Sequence, residues 1–198
     1  MEDDLTGKLT VGHGGQSYQD SHAESGQKER QNQMVQEKAQ QMTPETQFMA
    51  TAISLATENV VSGRGGPFGA VVVRGGEVVA TGINQVTTSN DPTAHAEVVA
   101  IRNACKVLGS FKLDDCVVYT SCEPCPMCLA AIYWARCKAV FYGNSAADAA
   151  KIGFDDQLFY EELKRSNADR ELPMMQWMSQ EAWESFSAWE KSPMRIEY

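Results

Sequence analysis

The chain has 198 residues, which is the length of a single domain with an additional segment. Its 26 acidic and 17 basic side chains give a net charge of −9, and this excess argues against a large surface for nucleic-acid phosphates. Six cysteines and a beginning without an apolar run favour reduced thiols, so we expect a cytoplasmic protein without a membrane segment.

Residues 1–43 are rich in Gln, Glu, Ser, Gly and Asp and contain no Phe, Trp or Cys. Such a segment cannot bury enough apolar surface to offset the entropy lost on ordering. We therefore predict a polar, disordered extension over residues 1–43 without a role in the chemistry, followed by a folded domain over residues 44–198.

The folded part is predicted to begin with a packing helix. Thr43 is a suitable N-cap, Pro44 suits the first helical position, and apolar residues at helical spacing continue to Gly63. The glycine-rich stretch 63–69 lacks the Gly-Lys-Ser/Thr ending of a phosphate-binding loop, so we predict no nucleotide-phosphate site there.

Strands and helices are predicted to alternate after residue 69. The pattern indicates a β-hairpin, a helix that begins near His95 and ends at Gly109, and a cysteine-containing helix between two further strands. The strands are predicted at 70–73, 78–81, 117–120 and 139–142. A strand–helix–strand order favours parallel pairing, so the fold class is α/β. Because the cysteine helix is apolar nearly all round, we expect it to be buried between the sheet and neighbouring elements.

Two short segments carry the residue types of a metal centre. His95-Ala96-Glu97 and Pro124-Cys125-Pro126-Met127-Cys128 form the H-x-E and P-C-x-x-C pattern that is the signature of zinc nucleobase deaminases. Catalytic zinc uses three protein ligands and keeps one position for water. Cys125 and Cys128 would share a helix face near the helix N-terminus, where the partial positive charge favours thiolates.

We therefore predict one Zn²⁺ per chain, held by His95, Cys125 and Cys128, with Cys122 outside the coordination sphere. Glu97 follows His95 by two residues and cannot reach the metal from the same side of a helix. It can instead face the activated water and the substrate, where a proton shuttle is needed.

Two alternatives use the same residues differently. The three cysteines with His95 could form a closed structural zinc site, or the cysteines could be small buried hydrophobic residues. Outside enzymes, the chain could be a zinc-stabilised scaffold that binds a partner. An acid at the position of Glu97 is needed by neither alternative, and it favours a catalytic site.

The C-terminal part has a less regular pattern. A short helix is predicted over 146–150 and another over 181–191, whereas the stretch after Leu158 gives no clear pattern. The extended, aromatic end at 193–198 is expected to pack against something, for which a second subunit is one candidate.

From Gly65 to Tyr198 the sequence resembles bacterial-type guanine deaminases of the cytidine-deaminase superfamily. The stretches that carry the resemblance are 66–71, 89–97, 121–128, 131–136, 153–156 and 197–198. The zinc motif is shared by the whole superfamily, and the Gly-Phe-Asp-Asp stretch and the Glu-Tyr end narrow the resemblance to guanine. The resemblance implies a three-layer α/β/α fold with a central mixed sheet. It also implies zinc-dependent hydrolysis of guanine to xanthine and ammonia.

The resemblance further implies roles for six residues around a purine. Asn84 would fix the purine with help from the backbone N–H of Ala96, Asp156 would accept from the N–H edge of the base, Phe68 and Trp134 would be aromatic walls, and Tyr198 would be a lid supplied by the partner in a domain-swapped homodimer. Each has a plainer alternative: a turn for Asn84, a helix cap for Asp156, and ordinary core for the two aromatic walls. Guanosine, cytidine or adenosine in tRNA are alternative substrates, and the acidic composition counts against tRNA.

Overall fold

The computed structural model describes Arg30, residues 33–34 and residues 43–197. The prediction for residues 1–43 therefore falls almost wholly outside the described residues, and the prediction for Tyr198 falls outside them as well. A boundary between two units of the chain lies between Pro44 and Glu45. The β-sheet belongs to the second unit.

A mixed sheet of four strands forms the centre of this unit in the described residues. Strands β1 (Gly69–Arg74) and β2 (Glu77–Ile83) form an antiparallel hairpin. Its turn glycines, Gly75 and Gly76, have φ of 59° and 82°, which glycine adopts without steric cost. Strand β3 (Cys116–Cys122) is antiparallel to β1 and parallel to β4 (Ala139–Asn144), so the spatial order is β2-β1-β3-β4. The predicted hairpin and parallel crossover are both confirmed.

In the described part of the chain, helices precede, connect and follow the four strands. In order they are α1 (Thr46–Val61), α2 (Val86–Ser89), α3 (Ala96–Leu108), α4 (Pro126–Trp134), α5 (Ala146–Lys151), α6 (Gln157–Lys164) and α7 (Ser179–Lys191). The prediction that Thr43 caps the first helix is wrong. Glu45 is the N-cap residue, and its backbone N–H donates to the Tyr119 hydroxyl at 3.2 Å, which ties the start of the helix to β3.

Helices cover both faces of the sheet. Helix α1 packs on one face through Phe48 and Ala52, against Val71, Val73 and Tyr119. Helices α3 and α4 pack on the other face, where the buried side chains are Ala70, Val72, Ala96, Ala100, Ala104, Val118 and Ile132. Alternate residues of β1 thus enter different layers, which explains why nearly the whole strand is buried. The three-layer α/β/α fold with a mixed sheet is confirmed.

Helix α3 lies directly on β2 at Gly82. A Cβ atom at this position would overlap the carbonyl oxygen of Ala96, in the first turn of the helix. The absence of a side chain at Gly82 therefore allows the N-terminus of α3 to sit against the sheet.

Helix α4 is not buried all round, in contrast to the sequence prediction. Cys128 and Ile132 face the protein interior, but Tyr133 is 72% exposed and Trp134 is 62% exposed. The helix packs on the sheet through one side, and its outer side is apolar surface. No helix among the described residues combines the length and the apolar character needed to cross a membrane.

Candidate functional site

His95, Cys125 and Cys128 come together although they belong to separate segments. The Nδ1 atom of His95 lies 3.6 Å from Cys125 Sγ and 3.5 Å from Cys128 Sγ. A tetrahedral zinc ion with bonds of about 2.0–2.3 Å places its ligand atoms roughly 3.3–3.8 Å apart. The three donor atoms all lie within 4.8 Å of one another, so their chemistry and spacing both fit Zn²⁺. Three protein donors leave the fourth tetrahedral position to a ligand from solution.

Helix N-termini position the donors. His95 is the N-cap residue of α3 and Cys125 is the N-cap residue of α4, both with extended backbones, and Pro126 is the first residue of α4. Contact between the two cysteines lowers the pKa of Cys125 to about 4 and raises the pKa of Cys128. Zinc binds cysteine as the thiolate, so the thiols give up their protons when the metal binds.

Cys122 is separate from this cluster. Its thiol donates to the carbonyl oxygen of Ser145 at 3.7 Å, and burial raises its pKa to about 11. Cys122 is also not one of the three residues whose ligand atoms lie within 4.8 Å of one another.

Glu97 lies beside the donors in the first turn of α3. It is 5% exposed, its Oε1 accepts from the Thr120 hydroxyl at 3.2 Å, and its Oε2 accepts from the Cys128 thiol at 3.4 Å. Burial raises the pKa of this carboxyl group above its ordinary value. A buried carboxyl group beside the donors and the cavity is placed to accept and return a proton.

A cavity of about 490 Å³ adjoins Glu97 and the donors. It is lined by Gly63, Gly65, Gly66, Phe68, Asn84, Val86, Thr87, His95, Glu97, Glu123, Cys125, Phe154 and Asp156. The structure therefore brings three of the predicted purine-binding residues, Phe68, Asn84 and Asp156, to the same cavity as His95 and Glu97. A volume of this size suits a small ligand.

Asn84 is held firmly at the cavity wall. Its backbone N–H donates to Phe68 O at 3.1 Å, its carbonyl oxygen accepts from Asn59 Nδ2 at 2.9 Å, and its Oδ1 accepts from the Val86 N–H at 3.3 Å. The last bond is a turn contact. The Oδ1 atom of Asn84 therefore has the turn role that was the plainer alternative for this residue. The same bond fixes the orientation of the amide at the cavity.

The two adjacent aspartates have different positions. Asp155 Oδ1 accepts from the backbone N–H of Gln157 at 3.0 Å, which makes it the residue that satisfies the start of α6. Asp156 makes no side-chain cap bond and lines the cavity, where burial raises its pKa. The structure thus separates the capping carboxylate from the one that a ligand would meet.

Sequence reasoning missed Phe154 as a cavity residue. Its ring meets the Phe68 ring edge to face, with centroids 4.9 Å apart and an interplanar angle of 86°. The two rings form an apolar wall suited to a flat aromatic ligand. The available signal was the position of Phe154 inside the Gly-Phe-Asp-Asp stretch. Glu123, which lines the cavity, and Thr120, which contacts Glu97, were also missed. Glu123 lies inside the stretch 121–128, whereas Thr120 lies outside every motif.

Trp134 and Ala96 are placed differently from Phe68. Trp134, at the C-terminal end of α4, lines another cavity of about 790 Å³ with Trp189, Met194 and Ile196. Trp134 was expected to form a wall of the cavity beside His95 and Glu97, but within one chain it does not line that cavity. The reason is that Trp134 lies roughly 13 Å from Cys125 along the axis of α4. Ala96 is the first residue of α3, and its side chain is fully buried.

Comparisons with known proteins agree with this geometry. Residues 42–144 match the family described as "Cytidine and deoxycytidylate deaminase zinc-binding region". Guanine deaminase of Bacillus subtilis (strain 168) is 56% identical over 151 residues, which are 76% of this chain and 97% of that protein. Its crystal structure matches with a TM-score of 0.76 and 54% identity, over 79% of this chain and 99% of that one. The tRNA-specific adenosine deaminase of Agrobacterium fabrum is 47% identical over 39% of this chain and 51% of its own length.

Zinc analysis of two cysteine variants tests the donor set. We expect Cys125→Ala to lose most bound zinc, because one of three donors is removed, whereas Cys122→Ala should retain about one ion per chain. The measurement is metal content of purified proteins after dialysis, with circular dichroism as the folding control. Equal zinc loss in the two variants would show that Cys122 is also a ligand.

Proposed function

The chain belongs to the zinc-dependent cytidine and deoxycytidylate deaminase family, and from that premise we infer that it catalyses the hydrolytic deamination of guanine to xanthine and ammonia. The similarity to guanine deaminase extends over nearly the whole of that relative, whereas the similarity to tRNA-specific adenosine deaminase covers about half of the matching protein. Zn²⁺ is the cofactor, and a purine is the substrate.

The position of Glu97 is the observation that carries this function. A buried carboxyl group stands between the Cys128 thiol and the cavity, within hydrogen-bond distance of a metal-ligand sulfur but outside the donor set. A structural zinc site or a binding scaffold has no use for an acid at this place, since such a buried group costs stability. A hydrolytic deaminase needs it to move protons.

The reaction adds water at C2 of guanine and releases the exocyclic amine as ammonia. Bound Zn²⁺ supplies the polarisation that lowers the pKa of a water molecule towards about 7. Glu97 accepts the first proton of this water and passes it to the ring nitrogen, and it then carries the second proton, from the added hydroxyl group, to the departing amine. The buried surroundings of Glu97 exclude bulk water, which would otherwise compete as proton carrier.

We propose that three cavity residues recognise the purine. Asn84 presents a fixed amide to the base, Asp156 accepts from its N–H edge, and Phe68 packs on the ring with Phe154 at right angles behind it. The backbone N–H of Ala96 assists as one of the N–H groups at the start of α3. Their convergence on one cavity with Glu97 supports these roles.

Guanosine is the closest competing substrate. A cavity of about 490 Å³ has room for more than a nucleobase, so its volume alone does not exclude ribose. Adenosine in tRNA fits less well, because a chain with net charge −9 is a poor partner for a phosphate backbone.

We further propose a cytoplasmic homodimer in which one subunit closes the cavity of the other. The exposed apolar side chains of α4 and the C-terminal segment, among them Tyr133, Trp134, Met194 and Ile196, support a partner surface. In this arrangement Tyr198 is the lid and Trp134 is an aromatic wall of the partner's cavity, which is consistent with the placement of Trp134 outside the cavity of its own chain.

Replacement of Glu97 tests the mechanism. We expect Glu97→Gln to keep zinc and fold, because glutamine has nearly the same shape, and to lose at least about 10²–10⁴-fold in guanine turnover, the range typical of a general acid–base group. The matched control is Glu77→Gln, at the exposed start of β2, which should retain wild-type turnover. A zinc-loaded Glu97→Gln protein that works within a few-fold of wild type would refute the shuttle role.

A substrate panel tests the specificity. Ammonia release from guanine, guanosine, cytidine and adenine is measured at equal concentrations with zinc-loaded protein. We expect guanine to be the fastest by a wide margin, because Asn84 and Asp156 offer both an amide and a carboxylate to its polar edges. Faster release from guanosine would show that the free base is not the preferred substrate.

Mixed dimers test the lid. A chain without Tyr198 retains Glu97, and a Glu97→Gln chain retains the C-terminal residue, so each is expected to be impaired alone. If the lid acts on the partner, heterodimers regain about one working site each. Verified heterodimers without any recovery would instead place the lid on its own chain.

A further inference from the structure

The hydroxyl group of Thr120 contacts the carboxyl group of Glu97 from the sheet. Thr120 is 1% exposed, and its Oγ1 lies 3.2 Å from Glu97 Oε1 in a buried hydrogen bond. A buried hydroxyl group without a partner costs free energy, so a Thr at this position depends on the carboxylate it meets.

The backbone around Thr120 is fixed on both sides. Strand β3 lies between β1 and β4, and Thr120 pairs with Ala70 of one and Tyr142 of the other. A β-branched side chain on a central strand has restricted χ1 freedom. The hydroxyl group is therefore presented to Glu97 by a rigid part of the fold.

Zinc ligation makes this hydroxyl group more important. The other side-chain donor to Glu97 is the Cys128 thiol, which contacts Oε2. As a zinc ligand Cys128 is a thiolate and has no proton to donate. Thr120 then remains as the side-chain donor described for this carboxylate, beside the contribution of the backbone N–H of Glu97 itself.

We propose that Thr120 is a positioning residue that holds Oε1 of Glu97, so that Oε2 is the oxygen that carries protons. Oε2 faces Cys128 Sγ and hence the metal side of the carboxyl group, whereas Oε1 faces the sheet. A carboxylate held at one oxygen cannot turn away from the reacting atoms. This inference rests on the proposed deaminase function.

The alternative is that Thr120 is only a core residue whose methyl group fills space on the sheet. Two substitutions distinguish the positioning role of the hydroxyl group from the packing role of the methyl group. Thr120→Val keeps the β-branched shape and removes the hydroxyl group. Thr120→Ser keeps the hydroxyl group and removes the methyl group.

The test compares these variants as zinc-loaded enzymes on guanine. We expect Thr120→Val to keep about one zinc per chain and to lose about 10- to 100-fold in kcat, the range that a hydrogen bond to a charged group supports. KM should stay within about twofold, because Thr120 is not a cavity-lining residue. Thr120→Ser should recover kcat to within about threefold of wild type.

A kcat for Thr120→Val within twofold of wild type would overturn the proposal. Equal losses in the Val and Ser variants would also overturn it, since the methyl group would then be the part that matters. If Thr120→Val does not bind zinc, Thr120→Ala replaces it in the same comparison.

A double-mutant cycle gives a measurement that does not depend on activity. Denaturant unfolding of wild type, Thr120→Val, Glu97→Ala and the double variant should show non-additive effects if the two side chains interact. Additive effects would refute the contact. If wild type releases no ammonia from guanine, the proposed function fails, whereas the cycle still decides whether Thr120 holds Glu97.

Discussion

The site depends on two helices that begin at the same edge of the sheet. Strand β1 is antiparallel to both β2 and β3, so β2 and β3 run in the same direction and end at a common edge. The segments that follow these two strands lead into the helices capped by His95 and Cys125. Two N-termini therefore meet where open α/β sheets bind ligands, and their partial positive charges favour thiolates and a carboxylate. The metal donors are close because the strand directions bring them together.

Close contact between backbones makes this meeting possible. Gly82 lets α3 lie against β2, and Gly65 lets the loop after α1 approach the carbonyl group of Asn84, which a Cβ atom would overlap. Asn59, which is fully buried, fastens the same region by donating from Nδ2 to the carbonyl oxygens of Gly66 and Asn84, each at 2.9 Å. The cavity wall is thus set by main-chain packing, and the substrate-facing side chains rest on it.

The sequence predicted those parts that depend on local pattern. The hairpin follows from turn glycines, the metal donors from His95 and the cysteine spacing, and the crossover from element order. Parts decided by tertiary contacts escaped prediction. The start of α1 at Thr46 coincides with a contact between Glu45 and Tyr119 of β3, and Phe154 reaches the cavity in contact with Phe68, which is distant in sequence. The contact of Thr120 with Glu97 could not be predicted, since threonine is a common residue in strands and its presence in a central strand indicates no function.

The electrostatics of the centre suit a dication. Cys125, Cys128 and Glu97 are buried together, and Asp156 lines the same cavity, with the single imidazole of His95 beside them. The pKa of Cys128 is raised by its contact with Cys125, by burial and by the charge of Glu97, and that of Asp156 is raised by burial and by the charge of Cys125. Burial also raises the pKa of Glu97, whereas the pKa of Cys125 is lowered. Two positive charges at the three donors reverse the balance, because they stabilise both thiolates and favour an ionised Glu97. A Zn²⁺ ion held by the three donors would thus favour the ionised form of Glu97, which is the form that accepts a proton from water. The donor set and the buried acid two residues from His95 therefore form one functional unit.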